Sequence, residues 1–295
     1  DVGSGKTIVS LLAADNTVNA GFQVAVIAPT EILARQHFTL AKKIFSRNLR
    51  LELISGKSIY KEKKVILDNL YNHKIDIIFG THAIFQKKVN FKKLGLIIID
   101  EQHKFGVDQR KKLSDKGGIN CDVLLMTATP IPRTLTMTVY GDMDLSIIRE
   151  KPQSRKPIKT YSKLESKVDD VIQFIKKEIN LGNQIFWVCP LIDESKKIDH
   201  SSVIKKFEFL KNKFPNKVSL LHGKTDIEEK EKILNNFLNK KFDILVSTTI
   251  IEVGIDFPNA NVIIIENANK FGLSQLHQLR GRVGRGDKDS TCIFV

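Results

Sequence analysis

The 295 residues carry 47 Lys and Arg against 33 Asp and Glu, a net charge of +14 with a pI near 9.5. With 42% hydrophobic and 27% charged residues, the composition is that of a globular chain with enough apolar material for about two domains. No run approaches the ~20 apolar residues of a membrane-spanning helix, and the cationic excess points to a polyanionic partner. An AT-rich genome, visible in the abundant Lys, Ile and Asn, is the competing source of that charge.

In chain order, Asp1 to Thr7 reads as the tail of the phosphate loop G-x-x-x-x-G-K-[ST], followed by a helix-like run from Ile8. Backbone amides of Gly3, Ser4, Gly5, Lys6 and Thr7 are suited to cradle phosphates. Lys6 reaches the β and γ oxygens in such a loop, and the Thr7 hydroxyl holds Mg²⁺. The first glycine of the motif would lie one residue before Asp1, and the strand expected ahead of it is absent. The sequence is therefore expected to be a piece of a longer chain.

Apolar runs at Val24–Ala28, Ile75–Phe79, Leu96–Ile99 and Val123–Met126 read as buried strands. Helical patterns at Glu31–Phe45 and Lys61–Asn72 alternate with them, so a parallel sheet covered on both faces is expected. The third run ends in two adjacent carboxylates, Asp100 and Glu101. Ligands of open α/β sheets sit outside the carboxyl ends of the strands. Solvated strand-end acids are the bland reading; the phosphate loop upstream favours a nucleotide site instead. Asp100 then serves as the second Mg²⁺ anchor, and Glu101 orients and deprotonates the attacking water.

Glu150–Pro157, charged and with two prolines, reads as an interdomain linker. The alternation resumes with a helix at Val168–Asn180 and strands at Ile185–Val188, Val218–Leu221, Phe242–Ser247, Val262–Ile265 and Thr291–Val295. Three arginines (Arg280, Arg282, Arg285) are interleaved with Gly281, Gly284 and Gly286. Glycine allows close backbone approach, and arginine offers a fork for phosphate oxygens. A nucleotide sandwiched between two lobes is one reading of that cluster; a basic nucleic-acid patch is the other. The three cysteines, Cys121, Cys189 and Cys292, lie far apart and read as core residues of a reducing compartment. Seven histidines form no ligand cluster with them, and Trp187 sits in an apolar run as a core residue.

The ordered set resembles the helicase core of superfamily two, and within it the RecG family of bacterial ATP-dependent DNA helicases. The most specific stretches are Asp100–Arg110, Thr127–Leu135 and Phe271–Gly286. The Mfd-type transcription-repair coupling translocases share much of this. Gln102, with Gly80–Phe85 and Val188–Glu194, favours RecG. Ser154 departs from the family pattern, where glycine usually precedes the linker arginine.

The resemblance implies two tandem RecA-like α/β domains, 1–152 and 153–295, with ATP between them and the family's wedge and hook segments outside the chain. It implies ATP and Mg²⁺ as cofactors, and DNA, duplex and branched, as partner through backbone contacts. A cytoplasmic, nucleoid-associated location is further implied; the oligomeric state is left open, with a monomer favoured. Among residues it assigns Arg282 and Arg285 to the γ-phosphate, and Gln278 to positioning the nucleotide. Thr127 and Thr129 become a hydroxyl relay, and His103 a bridge between motifs. Pro29, Thr30, Gly80, Thr81, Thr248 and Thr249 become nucleic-acid contacts. An Mfd-like translocase and a nucleotide-switched binding module without helicase activity remain the alternatives.

Overall fold

The structure is a computed structural model that describes residues 3–45, 49–54, 60–86, 88–101, 121–128, 144–150, 156–190, 198–223, 225–248, 257–284, 286 and 288–295. The chain divides into two compact units, Gly3–Glu150 and Lys151–Val295.

In the first unit α1 (Lys6–Asn19) leads into β1 (Gln23–Ile27), then α2 (Glu31–Ile44) and β2 (Leu51–Ile54). After these come α3 (Tyr60–Tyr71), β3 (Ile77–Gly80), β4 (Leu94–Asp100) and β5 (Asp122–Met126). The five strands form one parallel sheet in the order β2-β3-β1-β4-β5. Every residue of β1, β3 and β4 is buried, as parallel strands covered on both faces require. Side chains alternate between two cores. Ala25, Ile27, Ile97 and Ile99 meet Leu70 of α3, whereas Val24, Val26, Leu96 and Ile98 meet Leu11 of α1 and Ala41 of α2.

The second unit runs β6 (Ile158–Ser162), α4 (Val168–Asn180), β7 (Gln184–Val188), α5 (Ile198–Lys213) and β8 (Val218–Leu221). It continues with α6 (Ile227–Leu238), β9 (Ile244–Ser247), β10 (Ala260–Ile265), α7 (Leu273–Arg280) and β11 (Ser290–Phe294). Its sheet is also parallel, in the order β6-β11-β10-β7-β9-β8. Trp187 is fully buried there with Val171 and Ile175 of α4 and Leu210 of α5, a core residue as its run suggests. Cys189 and Cys292 are buried free thiols; burial pushes the Cys292 thiol up to about 12. No described helix is long and apolar enough to cross a membrane.

A strand that is apolar on both faces gains nothing from alternation, so burial alone does not fix its register. Buried amides at the strand starts do. The Gln23 side chain donates to the carbonyls of Leu70 and Ile75, each at 2.9 Å, and accepts from the amides of Lys92 and Lys93. Gln184, first in β7, donates to the carbonyls of Phe237 and Phe242. Two strands escaped the sequence reading, β2 and β6. Both are sheet edges, only partly buried, and so lack the continuous apolar run of the central strands. Elsewhere strand limits differ by one or two residues: Ile75 and Asp76 precede β3, although the Asp76 carbonyl already accepts from the Val24 amide of β1.

Candidate active site

The loop before α1 holds Gly3 at φ 70° and Gly5 at φ 92°. A Cβ on Gly5 would meet nothing within 4 Å, so the left-handed backbone, and not space, calls for glycine there. The Gly5 carbonyl accepts from the Ile8 and Val9 amides, closing the first turn. The first N–H groups of a helix have no acceptor within it. This helix has neither a side-chain cap nor an acid in its first turn, which leaves its positive end suited to an anion.

β4 is buried along all seven residues and ends at Asp100, itself 8% exposed. Both carboxylate oxygens of Asp100 are held. Oδ1 accepts the Glu101 backbone N–H at 3.0 Å, and Oδ2 accepts from His37 Nε2 at 2.9 Å. Glu101 adopts φ 52°, a left-handed conformation that costs a non-glycine residue on the order of 1–3 kcal/mol. Strain of that size at a strand end is characteristic of functional sites. β5 runs alongside with Asp100 opposite Met126, so Thr127 emerges one step beyond the carboxylate on the next strand.

Beside the loop lies a cavity of about 190 Å³ with Ser4, Lys6, Ser10 and Thr127 on its wall. Leu124, Met126, Leu145 and Ile147 make most of the remainder apolar, so this space is not itself shaped for a triphosphate. The same sheet edge carries Pro29 and Thr30 after β1, and Gly80 and Thr81 at the end of neighbouring β3. The Thr30 hydroxyl caps α2 by accepting from Leu33 N at 3.4 Å, which leaves its own hydrogen to donate outward. Gly80 has a packing role in addition: a Cβ would lie 2.7 Å from the Ile54 side chain and 2.8 Å from its carbonyl. Thr248 follows β9 in the second unit and is buried.

Gln278 on α7 and Arg282 just after it are buried, 5% and 4% exposed, so neither belongs to an open basic patch. The glycines that follow explain how this turn is held. Gly284 takes φ 76° with Ile158 3.0 Å from a would-be Cβ, and at Gly286 a Cβ would be 2.8 Å from the Pro258 carbonyl. Both close approaches are to the second unit's own chain. His103, Thr129, Thr249 and Arg285, together with Ser154, lie outside the described residues. Among the described residues no three His, Cys, Asp or Glu side chains converge as a metal cage. Mg²⁺ in phosphate sites takes one or two protein oxygens and the substrate's own. Asp100 suits that: each oxygen accepts one hydrogen bond and retains lone-pair capacity for a metal.

Sequence reasoning missed His37. It faces inward on α2 with Leu33, Ala34 and Ala41, so the available signal was a histidine on the apolar stripe of an amphipathic helix.

Two family models match the chain, the DEAD/DEAH box helicase over residues 1–138 and the helicase conserved C-terminal domain over 166–287. The ATP-dependent DNA helicase RecG of Streptococcus pneumoniae is 51% identical across 100% of this chain and 44% of its own length. Its counterpart in Thermotoga maritima is 48% identical over 100% of this chain and 38% of its own. Over its whole length the chain is thus similar to RecG helicases. A solved structure of RecG bound to a three-way DNA junction matches all of the chain, and 38% of its own, at a TM-score of 0.82 and 45% identity. Yeast Dbp5 bound to RNA and ADP BeF3 matches at a TM-score of 0.74 but 20% identity, which bears on the fold alone. Each unit is thus a RecA-like helicase domain. The chain spans less than half the length of these RecG relatives.

Proposed function

We propose that this chain is the ATP-hydrolysing motor of a DNA helicase that remodels branched DNA, as at stalled forks and Holliday junctions. The observation that carries the reading is the strand-end pair: Asp100 held at both oxygens, and Glu101 held left-handed beside it. RecG kinship supports DNA over RNA and branched over linear substrates, since the related structure is a junction complex.

In this reading the amides of Gly3 to Thr7 bind the ATP phosphates, and the Lys6 ammonium balances the β and γ charge. Thr7 and Asp100 would hold Mg²⁺, and the ion would supply positive charge against that developing on the transferred phosphoryl group. Glu101 accepts a hydrogen bond from the attacking water and takes its proton as the water O–Pγ bond forms and the Pγ–O bond to the β-phosphate breaks, ADP leaving with that oxygen. Arg282 and Arg285 spread their forked donors over the phosphoryl oxygens, while Gln278 orients the nucleotide. Thr127 and Thr129 relay the state of the carboxylates, and His103 bridges the motifs. Pro29, Thr30, Gly80, Thr81, Thr248 and Thr249 offer hydroxyls and amides to successive DNA phosphates, contacts that position without reading sequence. A cytoplasmic location follows from the same kinship.

The test measures phosphate release by the full-length protein with forked, linear duplex and single-stranded DNA. Forked DNA should stimulate most. Glu101→Gln should keep nucleotide affinity and lower turnover by about 10²–10⁴-fold, because the geometry survives and the base does not. Wild-type turnover in that variant would end the assignment of Glu101. Equal stimulation by linear and forked DNA would end the branched-substrate reading and favour a coupling translocase.

A further inference from the structure

The buried contact between α2 and the end of β4 is 63 residues apart in sequence and is made by side chains alone. His37 Nε2 lies 2.9 Å from Asp100 Oδ2, with the two side chains 6% and 12% exposed. An ionised carboxylate only accepts, so Nε2 carries the hydrogen in this pair. Nothing in hydrophobic packing asks for an imidazole on a stripe otherwise formed by Leu33, Ala34 and Ala41.

The second unit shows what else this position can hold. Glu266 follows β10 there as Asp100 ends β4: Val188 pairs with Ile265 as Ile27 pairs with Ile99. The helix corresponding to α2 is α5, and it sends Lys206 to Glu266, Nζ to Oε1 at 2.6 Å. A lysine cancels the acid's charge. An imidazole supplies one N–H without bringing an obligatory positive charge, so the strand-end acid stays fixed and still attracts a cation.

We propose that His37 is a positioning residue for Mg²⁺: it locks the Asp100 carboxylate through Oδ2 in the orientation that receives the metal. The proposal rests on the reading of Asp100 as the Mg²⁺ anchor. Outer partners of this kind change metal affinity about 10–100-fold when removed.

The experiment uses the full-length protein and a non-hydrolysable ATP analogue. Affinity is measured by calorimetry in excess Mg²⁺ and again in EDTA, and the ratio of the two isolates the metal's contribution. In His37→Leu the ratio should fall about 10–100-fold while affinity in EDTA is unchanged. His37→Gln, which keeps a side-chain N–H at similar reach, should restore most of it. Asp100→Asn is the control for the underlying assignment. A collapsed ratio in Asp100→Asn with an unchanged one in His37→Leu overturns the role of His37 and leaves the anchor standing. An unchanged ratio in Asp100→Asn removes the anchor, and the proposal with it. If thermal melting shows that His37→Leu is unfolded, the Gln variant decides. A ratio near wild type supports the lock, and a loss of 10-fold or more overturns it.

Discussion

Strand for strand, β5-β4-β1-β3-β2 of the first unit corresponds to β11-β10-β7-β9-β8 of the second. The agreement reaches single residues. Gln23 and Gln184 open β1 and β7, and each pairing with the next strand carries one extra residue, Gly95 and Asn261. Gly80 and Ser247 end β3 and β9 opposite Ile27 and Val188. The acids Asp100 and Glu266 occupy one equivalent place. What differs is the partner of that acid: an imidazole for Asp100, an ammonium for Glu266. Among the described residues only the first unit also places a glycine loop with left-handed Gly3 and Gly5 before a helix. The same scaffold, then, yields one acid available to a cation and one already neutralised from within.

The largest expected effects test the shared register device. Replacing Gln23 by Leu orphans the Ile75 carbonyl and the Lys92 and Lys93 amides, the Leu70 carbonyl keeping the His73 N–H; replacing Gln184 orphans the Phe242 carbonyl, the Phe237 carbonyl keeping the Lys240 N–H. At about 1–3 kcal/mol per buried group, the loss should be on the order of 4 kcal/mol for Gln23→Leu and about half that for Gln184→Leu. Native-state amide exchange in β1 and β7 reads the two units separately, which a single unfolding midpoint in a two-domain chain does not. Equal losses at the two sites would show that the clamps are not graded by their hydrogen bonds.

The second test concerns the neutralised acid. Lys206 and Glu266 are 20% and 14% exposed, and Glu266 Oε2 also accepts from Trp187 Nε1 and Cys189 Sγ. Removing one partner of a buried pair costs about 3–5 kcal/mol, and partial access to water lowers that here to about 2. Lys206→Met should destabilise the second unit by that amount, and adding Glu266→Gln should recover most of it. If the double variant is no more stable than the single one in urea unfolding, charge is not what Lys206 contributes.

How much of this was legible beforehand follows from burial. The central strands β1, β4, β7 and β10 announce themselves as unbroken apolar runs because both faces are covered. Edge strands β2 and β6 do not, since water reaches them. The loop glycines and the Asp100–Glu101 pair stand out in the sequence because a phosphate-loop pattern restricts residue types over a few adjacent positions. His37 was not: its meaning depends on a contact 63 residues away. The left-handed Glu101 was equally hidden, as no local pattern marks a positive φ in a glutamate. For Gly284 and Gly286 the sequence told of close approach, while the surfaces approached, Ile158 and Pro258, come only from the fold.

The smallest expected effect sharpens the comparison at the opposite ends of the strands. Before β2 and β3, Arg50 and Asp76 form an ion pair, and before β8 and β9, Lys217 and Asp243 do the same. The backbone is alike, each basic residue's carbonyl accepting from two successive amides of the other strand. The side chains are not. Arg50 gives Asp76 its backbone N–H at 2.8 Å, its Nε at 3.0 Å and an Nη2 contact, whereas Lys217 offers one ammonium at 3.3 Å. Burial opposes ionisation of Asp76, but the Arg50 side-chain and backbone hydrogen bonds outweigh it and hold the carboxyl below its ordinary value. A carboxyl whose folded value is depressed stabilises the fold above the unfolded value of about 3.9, and that stability is lost as pH falls through the folded value. Arg50 is half exposed, so the contribution at neutral pH is discounted to about 1 kcal/mol. Arg50→Lys, which gives the first unit the second unit's pairing, should cost that much in urea unfolding at pH 7. The gap to the parent should narrow as pH drops below about 4, where Asp76 takes up its proton in both proteins. A gap of constant size down to pH 3 would mean that the arginine acts by packing its stem and not by holding the carboxylate ionised.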